Sequence, residues 1–579
     1  MTNYGIGCLK FPNTGRCNSQ HLVTIHQRVS DNYLITLTLL PVIKMEITSS
    51  PSSRWALSKL LKLNLEAHHL ENCSRESMAS ALHIGDISKA NIVLGTISLV
   101  ISYYFSLAIY RIFFHPLKSF PGPLPCRISL IPRAYWAVRG DLIYHVTDLH
   151  AKYGPVVRLS PNELVFSDPQ AWKDIYGHRA PGQEEFPKFD SFYRPVKSFP
   201  TSIITADRSE HGQVRRQLAH GFSERSMRGQ EPIIGSYVDL LISQLRTNSK
   251  GGSKPVNMRE WLNWATFDII GDLGFGSSFG CLNDGNYHPW VHMITNTVKE
   301  SAYLGVIYAL GFKRLTQWIS KSGAMKDRDA HRELVLQKLM QRIELGAERP
   351  DLIEGLIRDK ENFHLPIPNL VTNASTLIIA GSETTATLLC GATFFLTMNP
   401  DVLYKLADEV RSSFKDDTEI TLSSVARLSY MLACLNESLR CYPPVAGGLP
   451  RASPRGGATV LGKFVPEGTE VRVYQWAINH DPNFWADPYG FHPGRWETEE
   501  KELRFAGDQL DAMQPFSLGP RNCIGKNLAY AEMRLILAKI IYNFDMRIAD
   551  DSRKWLERQK VYTLWDKPAL NVYLTPVAR

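Results

Sequence analysis

The chain has 579 residues, 44% hydrophobic and 21% charged, with a formal net charge of +8. This composition supports a sizeable core and excludes a disordered chain, a collagen-like fibre and a small disulfide scaffold. The 65 Lys and Arg are interspersed with 57 Asp and Glu and form no basic stripe, which argues against nucleic-acid binding.

In chain order, residues 1–77 show no sustained hydrophobic period, helix caps or motif, and the apolar patch YLITLTLLPVI at 33–43 is too short to span a bilayer. We read this segment as a leader that is disordered or untranslated, with Met78 as the true start and 78–91 as a short lumenal N-terminus. Residues 92–114, IVLGTISLVISYYFSLAIYRIFF, contain no charge before Arg111 and read as a single transmembrane anchor. The alternative is a buried core helix. Arg111 and Lys118 follow the run while Asp86 and Lys89 cancel before it, so the positive-inside bias puts the C-terminal bulk in the cytosol. A proline-rich hinge at 115–125 includes FPGP, which stops the helix and stiffens the exit from the membrane.

Residues 126–579 read as a mainly α catalytic region with small β-sheets, an α+β fold. YGPVVRLSPNELVFSDP at 153–169 predicts two short strands around Ser160-Pro161-Asn162, and GKFVPEGTEVRVY at 462–474 repeats that pattern around Pro-Glu-Gly. The longest predicted helix covers 369–398 and is closed by Asn399-Pro400. The nine cysteines are scattered without zinc-clip or redox-pair spacing, as expected of small apolar residues in a reducing compartment.

One cysteine stands apart. In FSLGPRNCIG, 516–525, Cys523 is fenced by Gly519 and Gly525, with Arg521 two residues away and a helix expected to begin near Ile524. Glycines allow close backbone approach, and a helix N-terminus stabilises a thiolate. A single thiolate beside a cation suits an anionic haem better than zinc, which takes three or four protein ligands. Phe516, Gly519, Arg521, Cys523 and Gly525 together match the haem-ligand loop of the cytochrome P450 superfamily, which the chain resembles from about residue 109 to its end.

That resemblance implies a P450 fold behind the N-terminal transmembrane helix, haem b held axially by Cys523, and roles for further residues. Glu437 and Arg440 of ESLR, with Arg495 of FHPGRW, correspond to the family's Glu-Arg-Arg cluster; by spacing alone the first two are an ordinary i, i+3 pair. AGSETT at 380–385 matches the family's oxygen-activation motif: Ala380 and Gly381 at a local opening of the helix beside the haem, Glu383 delivering protons, and Thr384 donating a hydrogen bond where dioxygen is activated. Read alone, Gly381 and the paired threonines merely weaken a helix. His211 and Arg215 of HGQVRRQL, with Arg451 of GGLPRASP and Arg521, correspond to partners of the haem propionates. His211 stands where tryptophan is frequent in the family.

The resemblance is strongest to fungal microsomal monooxygenases of toxin and pigment pathways, such as trichothecene- and anthraquinone-pathway hydroxylases. It implies a terpenoid or polyketide substrate, O2, electrons from NADPH through a separate NADPH-cytochrome P450 reductase, and an endoplasmic reticulum membrane location. No flavin or nicotinamide fingerprint occurs in the chain. Five aromatics in 186–200 predict an apolar lid, and 301–312 and 445–449 predict further walls for a hydrophobic substrate. The competing readings are a haem-thiolate isomerase or peroxide-rearranging enzyme, which does not need the Glu383-Thr384 pair, and a membrane-tethered haem carrier or sensor.

Overall fold

The computed structural model describes residues 24–30, 33–38 and 89–579, except 196, 198, 287–288, 323–325, 347–348, 350, 358–364, 498–502 and 579. The chain divides into two units, 1–99 and 100–579. In the first, β1 (Thr24–Ser30) and β2 (Tyr33–Thr38) pair antiparallel. Met78 and most of the expected leader lie outside the described residues. Helix α1 (Lys89–Ile109) continues into a π-helical turn, Tyr110–Phe114. Its 25 residues Ala90–Phe114 are apolar and long enough to cross a membrane, and none of the apolar window is buried in protein.

The exit from this helix is held by arginines. Arg127 donates to the carbonyls of Ile112 (3.3 Å) and Lys118 (3.1 Å), and the buried Arg158 donates to the Arg111 carbonyl at 2.9 Å. Carbonyls left unpaired where a helix ends need such donors.

Beyond the exit, β3 (Val156–Ser160) and β4 (Glu163–Phe166) form the expected hairpin. Helices α2 (Pro169–Tyr176), α3 (Arg208–Leu218) and α4 (Glu224–Asn248) follow, each with an N-cap side chain accepting a backbone N–H: Asp168, Asp207 and Ser223. After β5 (Val256–Asn257) comes α5 (Met258–Phe275), buried along most of its length. It packs against α6 (Ile367–Met398), the long predicted helix, which starts after Pro366 and ends at Asn399. Helix α6 is also apolar and long enough to span a bilayer, but its surface is mostly buried, as in a core helix.

Helix α7 (Ser429–Cys441) leads to the strands β6 (Arg451–Ala452), β7 (Ala458–Val460), β8 (Lys463–Val465) and β9 (Glu470–Val473). The chain closes with α8 (Lys526–Asn543), β10 (Phe544–Ile548), β11 (Lys560–Tyr562), β12 (Leu564–Asp566) and β13 (Asn571–Pro576). Both strands of 462–474 form, but not as partners. β8 pairs with β7, while β9 lies parallel to β4 and antiparallel to β6, giving a four-stranded sheet β3-β4-β9-β6. Side-chain alternation identifies a strand without naming its neighbour.

Candidate active site

The 516–525 segment folds as a tight loop against α2. Gly519 has φ +70°, and a Cβ there would lie 2.1 Å from the Tyr176 carbonyl oxygen, so only glycine fits. The Cys523 N–H donates to the Phe516 carbonyl at 2.9 Å, and the Phe516 ring packs on Tyr530 with centroids 5.3 Å apart. Helix α8 begins at Lys526 with Gly525 as its N-cap, slightly later than the sequence suggests.

Cys523 is exposed, yet surrounding protein desolvates its thiol. That burial raises its pKa, opposed by a hydrogen bond from Gly525 and the nearby Arg215 and Lys526 charges. A side chain at 525 would project to within 3.6 Å of Phe222 and 4.0 Å of the Cys523 Sγ, so Gly525 keeps the approach to the sulfur open.

Basic side chains converge nearby. His211, Arg215, Arg451 and Arg521 are joined by Lys188, which the sequence reading missed because one lysine in an aromatic run carries no motif. Burial, then Arg451 and Arg521, depresses the Lys188 pKa well below the lysine range. Burial, then Arg521, Arg215 and Lys188, lowers His211 to about 4, leaving it neutral at physiological pH. Arg521 pairs with Glu185 (2.9 Å) and donates to the Ala206 carbonyl (2.9 Å); Arg451 donates to the Phe186 carbonyl (3.0 Å). Tyr193 Oη and Arg451 Nε are buried without a hydrogen-bond partner among the described residues. Excess positive charge with orphaned polar atoms suits an anionic group. Arg215 differs: it donates two hydrogen bonds to Asn522, one to the carbonyl and one to the side chain.

The carboxylate of Glu437 is fully enclosed by donors. Arg440 reaches it with two bonds of 2.8 and 2.9 Å, Arg495 at 3.1 Å, the His492 N–H at 2.9 Å and the Trp496 indole at 2.9 Å. Burial by itself would raise the Glu437 pKa, but Arg440 and then Arg495 bring it below the usual value. Arg440 also donates to the carbonyls of Asn479, Pro488 and Gly490, and Arg495 pairs with Asp508. This i, i+3 pair is a buried hub tying α7 to the segment before the cysteine loop.

Helix α6 is unbroken through 380–385, so the expected local opening is not seen. Gly381 has a packing reason instead: a Cβ there would sit 2.7 Å from Ile270 Cδ1 on α5. Ala380 is exposed on this otherwise mostly buried helix, and its carbonyl accepts from the Thr384 hydroxyl at 2.6 Å. Glu383 forms an ion pair with Lys567, a partner 184 positions away with no sequence signal. Of the five lid aromatics, Phe186 is buried in the core, while Phe192 and Phe199 are exposed.

The profile of the family described as Cytochrome P450 matches residues 120–572. The chain belongs to the cytochrome P450 family. This P450 is 48% identical over 488 residues to the cytochrome P450 monooxygenase tpeC of Talaromyces stipitatus, covering 83% of this chain and 94% of that protein. It is 43% identical over 482 residues to the trichothecene C-15 hydroxylase of Fusarium sporotrichioides, covering 82% and 96%. With the averantin hydroxylase of Dothistroma septosporum it shares 40% identity over 504 residues, covering 85% and 94%. The chain is therefore a P450 monooxygenase, an oxidoreductase whose family implies a haem iron cofactor. The cysteine loop, its open sulfur and the cation cluster fit a flat anionic cofactor bound through a thiolate.

Proposed function

We propose that this P450 hydroxylates, or otherwise oxidises, a hydrophobic terpenoid or polyketide in a fungal secondary-metabolite pathway, using O2 and electrons from NADPH. Cys523 would hold haem b through its sulfur, and Lys188, Arg451 and Arg521 would hold its carboxylates, with His211 and Arg215 at the edge of that site. When bound, the haem supplies dioxygen activation and C–H oxidation, chemistry that belongs to the cofactor. The protein's share is to shield the Cys523 sulfur, to present Glu383 as the proton donor with the Thr384 hydroxyl beside it, and to exclude water with aromatic side chains.

The observation that carries this reading is the desolvated, accessible Cys523 sulfur beside a cluster of cations with Glu185 as its ion-pair partner. The hydroxylase names of two relatives and their fungal sources support the substrate class. The electrons would come through a separate reductase, in keeping with the redox partner that the P450 family suggests.

The apolar span Ala90–Phe114 supports an endoplasmic reticulum anchor with the catalytic region in the cytosol and Met78 as the start. Exposed Ile131, Tyr135 and Val138 on one helix, with exposed Phe312, Leu315 and Trp318 elsewhere, give the catalytic unit apolar surface suited to a membrane and to an apolar substrate partitioned there. The test is the carbon monoxide difference spectrum of the reduced protein expressed from Met78. A strongly red-shifted Soret band in wild type that is lost in Cys523→Ser is the expected result; its absence from folded, haem-loaded wild type overturns the reading.

A further inference from the structure

Lys567 is a buried lysine whose ammonium contacts two side chains of α6, the Glu383 carboxylate and the Thr387 hydroxyl, the latter at 2.7 Å. Glu383 and Thr387 are four apart and so share a helix face. Burying an ammonium is unfavourable unless it is paired and hydrogen-bonded, so the Glu383 carboxylate and the Thr387 hydroxyl offset the cost of burying Lys567.

The lysine is also presented from a rigid platform. It sits in the connection between β12 and β13, where Arg259 of α5 donates to its carbonyl at 2.6 Å and the Trp555 indole donates to the Pro568 carbonyl at 3.0 Å. The Met258 N–H donates to the Leu570 carbonyl at 2.8 Å, and the Leu570 N–H to Asn257 Oδ1 at 3.0 Å. Four hydrogen bonds hold the backbone of Lys567, Pro568 and Leu570, which keeps Lys567 against α6. Without it, Glu383 would keep, among the described residues, a long 3.5 Å contact from Thr387.

We propose that Lys567 is the positioning residue for Glu383: it fixes the rotamer from which the carboxyl group delivers protons beside Thr384. This rests on the reading of Glu383 as proton donor. The ammonium keeps its own three protons; the Glu383 carboxylate takes up a proton from water, passes that proton on and returns to the ion-paired form. A carboxyl group released from a fixed rotamer spends less time within hydrogen-bond reach of its target, which slows proton transfer.

The experiment uses the haem-loaded full protein with purified reductase, no organic substrate, and air. NADPH consumption is measured in H2O and D2O for wild type, Glu383→Gln, Lys567→Met, Lys567→Arg and the Glu383→Gln/Lys567→Met double variant. Glu383→Gln is expected to slow consumption by about tenfold or more, and Lys567→Met by about three- to tenfold, each with a raised solvent isotope effect. The double variant should be no slower than Glu383→Gln alone, and Lys567→Arg should recover most of the rate and the wild-type isotope effect. Melting temperatures give an independent readout: the two single variants should each lower Tm, and the double variant by less than their sum.

If Glu383→Gln turns over as wild type does, the proton-donor reading fails. If Glu383→Gln is slow but haem-loaded Lys567→Met keeps the wild-type rate and isotope effect, or if the two effects multiply, only the role of Lys567 is overturned. Should Lys567→Met fail to take up haem, Thr387→Val removes one of the ammonium's two α6 partners; an unchanged isotope effect in that variant also overturns the proposal.

Discussion

Arg215 on α3 clasps Asn522 with two hydrogen bonds, 2.7 Å to its carbonyl oxygen and 2.6 Å to its side-chain oxygen, and so braces the residue immediately before Cys523. The guanidinium fork matches two acceptors of one residue, a geometry lysine cannot reproduce. Arg215→Lys should therefore leave more of the haem-loaded protein without the red-shifted carbon monoxide band than Asn522→Ala, which loses only the side-chain half of the clasp. The ratio of the two carbon monoxide bands measures this.

Removing Glu437 strands two buried guanidinium groups. Breaking a buried ion pair from one side costs about 3–5 kcal/mol, because the remaining charge is left without compensation. Glu437→Ala should give little haem-loaded protein and a strongly lowered Tm. Normal haem content in that variant would refute the hub role of the cluster.

Two glycines should respond differently to alanine. At Gly519 the added carbon meets a backbone oxygen at 2.1 Å and the residue must keep φ +70°, so nothing nearby can yield cheaply. At Gly381 it meets the far end of Ile270, a flexible side chain, and alanine regains about 1 kcal/mol of helix propensity. Gly519→Ala is expected to abolish haem loading, and Gly381→Ala to shift Tm by only a few degrees in thermal unfolding.

Thr384 donates its hydroxyl hydrogen to the Ala380 carbonyl, which leaves its oxygen lone pairs directed outward and fixes its rotamer. Thr384→Ala should still bind substrate but release more hydrogen peroxide per NADPH, while Thr384→Ser should keep most of the coupling. Product and peroxide quantified against NADPH decide between them.

Glu532 on α8 is buried, and burial alone raises its pKa from 4.5 to about 8. The native state therefore holds a proton that the unfolded chain has lost, so the stability from this group is present below pH 4.5 and is lost as pH rises towards 8, at about 1.4 kcal/mol per unit. Glu532→Gln should remove that dependence, so Tm of the variant relative to wild type should increase between pH 5 and pH 8.

Much of this protein was legible as sequence because its most telling chemistry is local. The cysteine loop packs ligand, glycines and cation into ten residues, and the ends of α6 are set by Pro366 and by Asn399 with Pro400, whose backbone limits act on immediate neighbours. The long apolar helix Ala90–Phe114 likewise follows from a run of side chains that water disfavours. Pairing of β9 with β4, by contrast, joins segments about three hundred residues apart, and no alternation pattern in either strand names the other.

The sequence by itself determined the family, and it supplied the proposed ligand Cys523 and the ends of the helix that carries Glu383 and Thr384. Only the tertiary structure decided that Gly381 answers to Ile270 and Gly519 to Tyr176, that Arg215 serves the Asn522 backbone, and that Lys567 holds Glu383. These are contacts between distant segments. Close packing and the need to pair every buried charge select them, and neither constraint leaves a trace in local spacing.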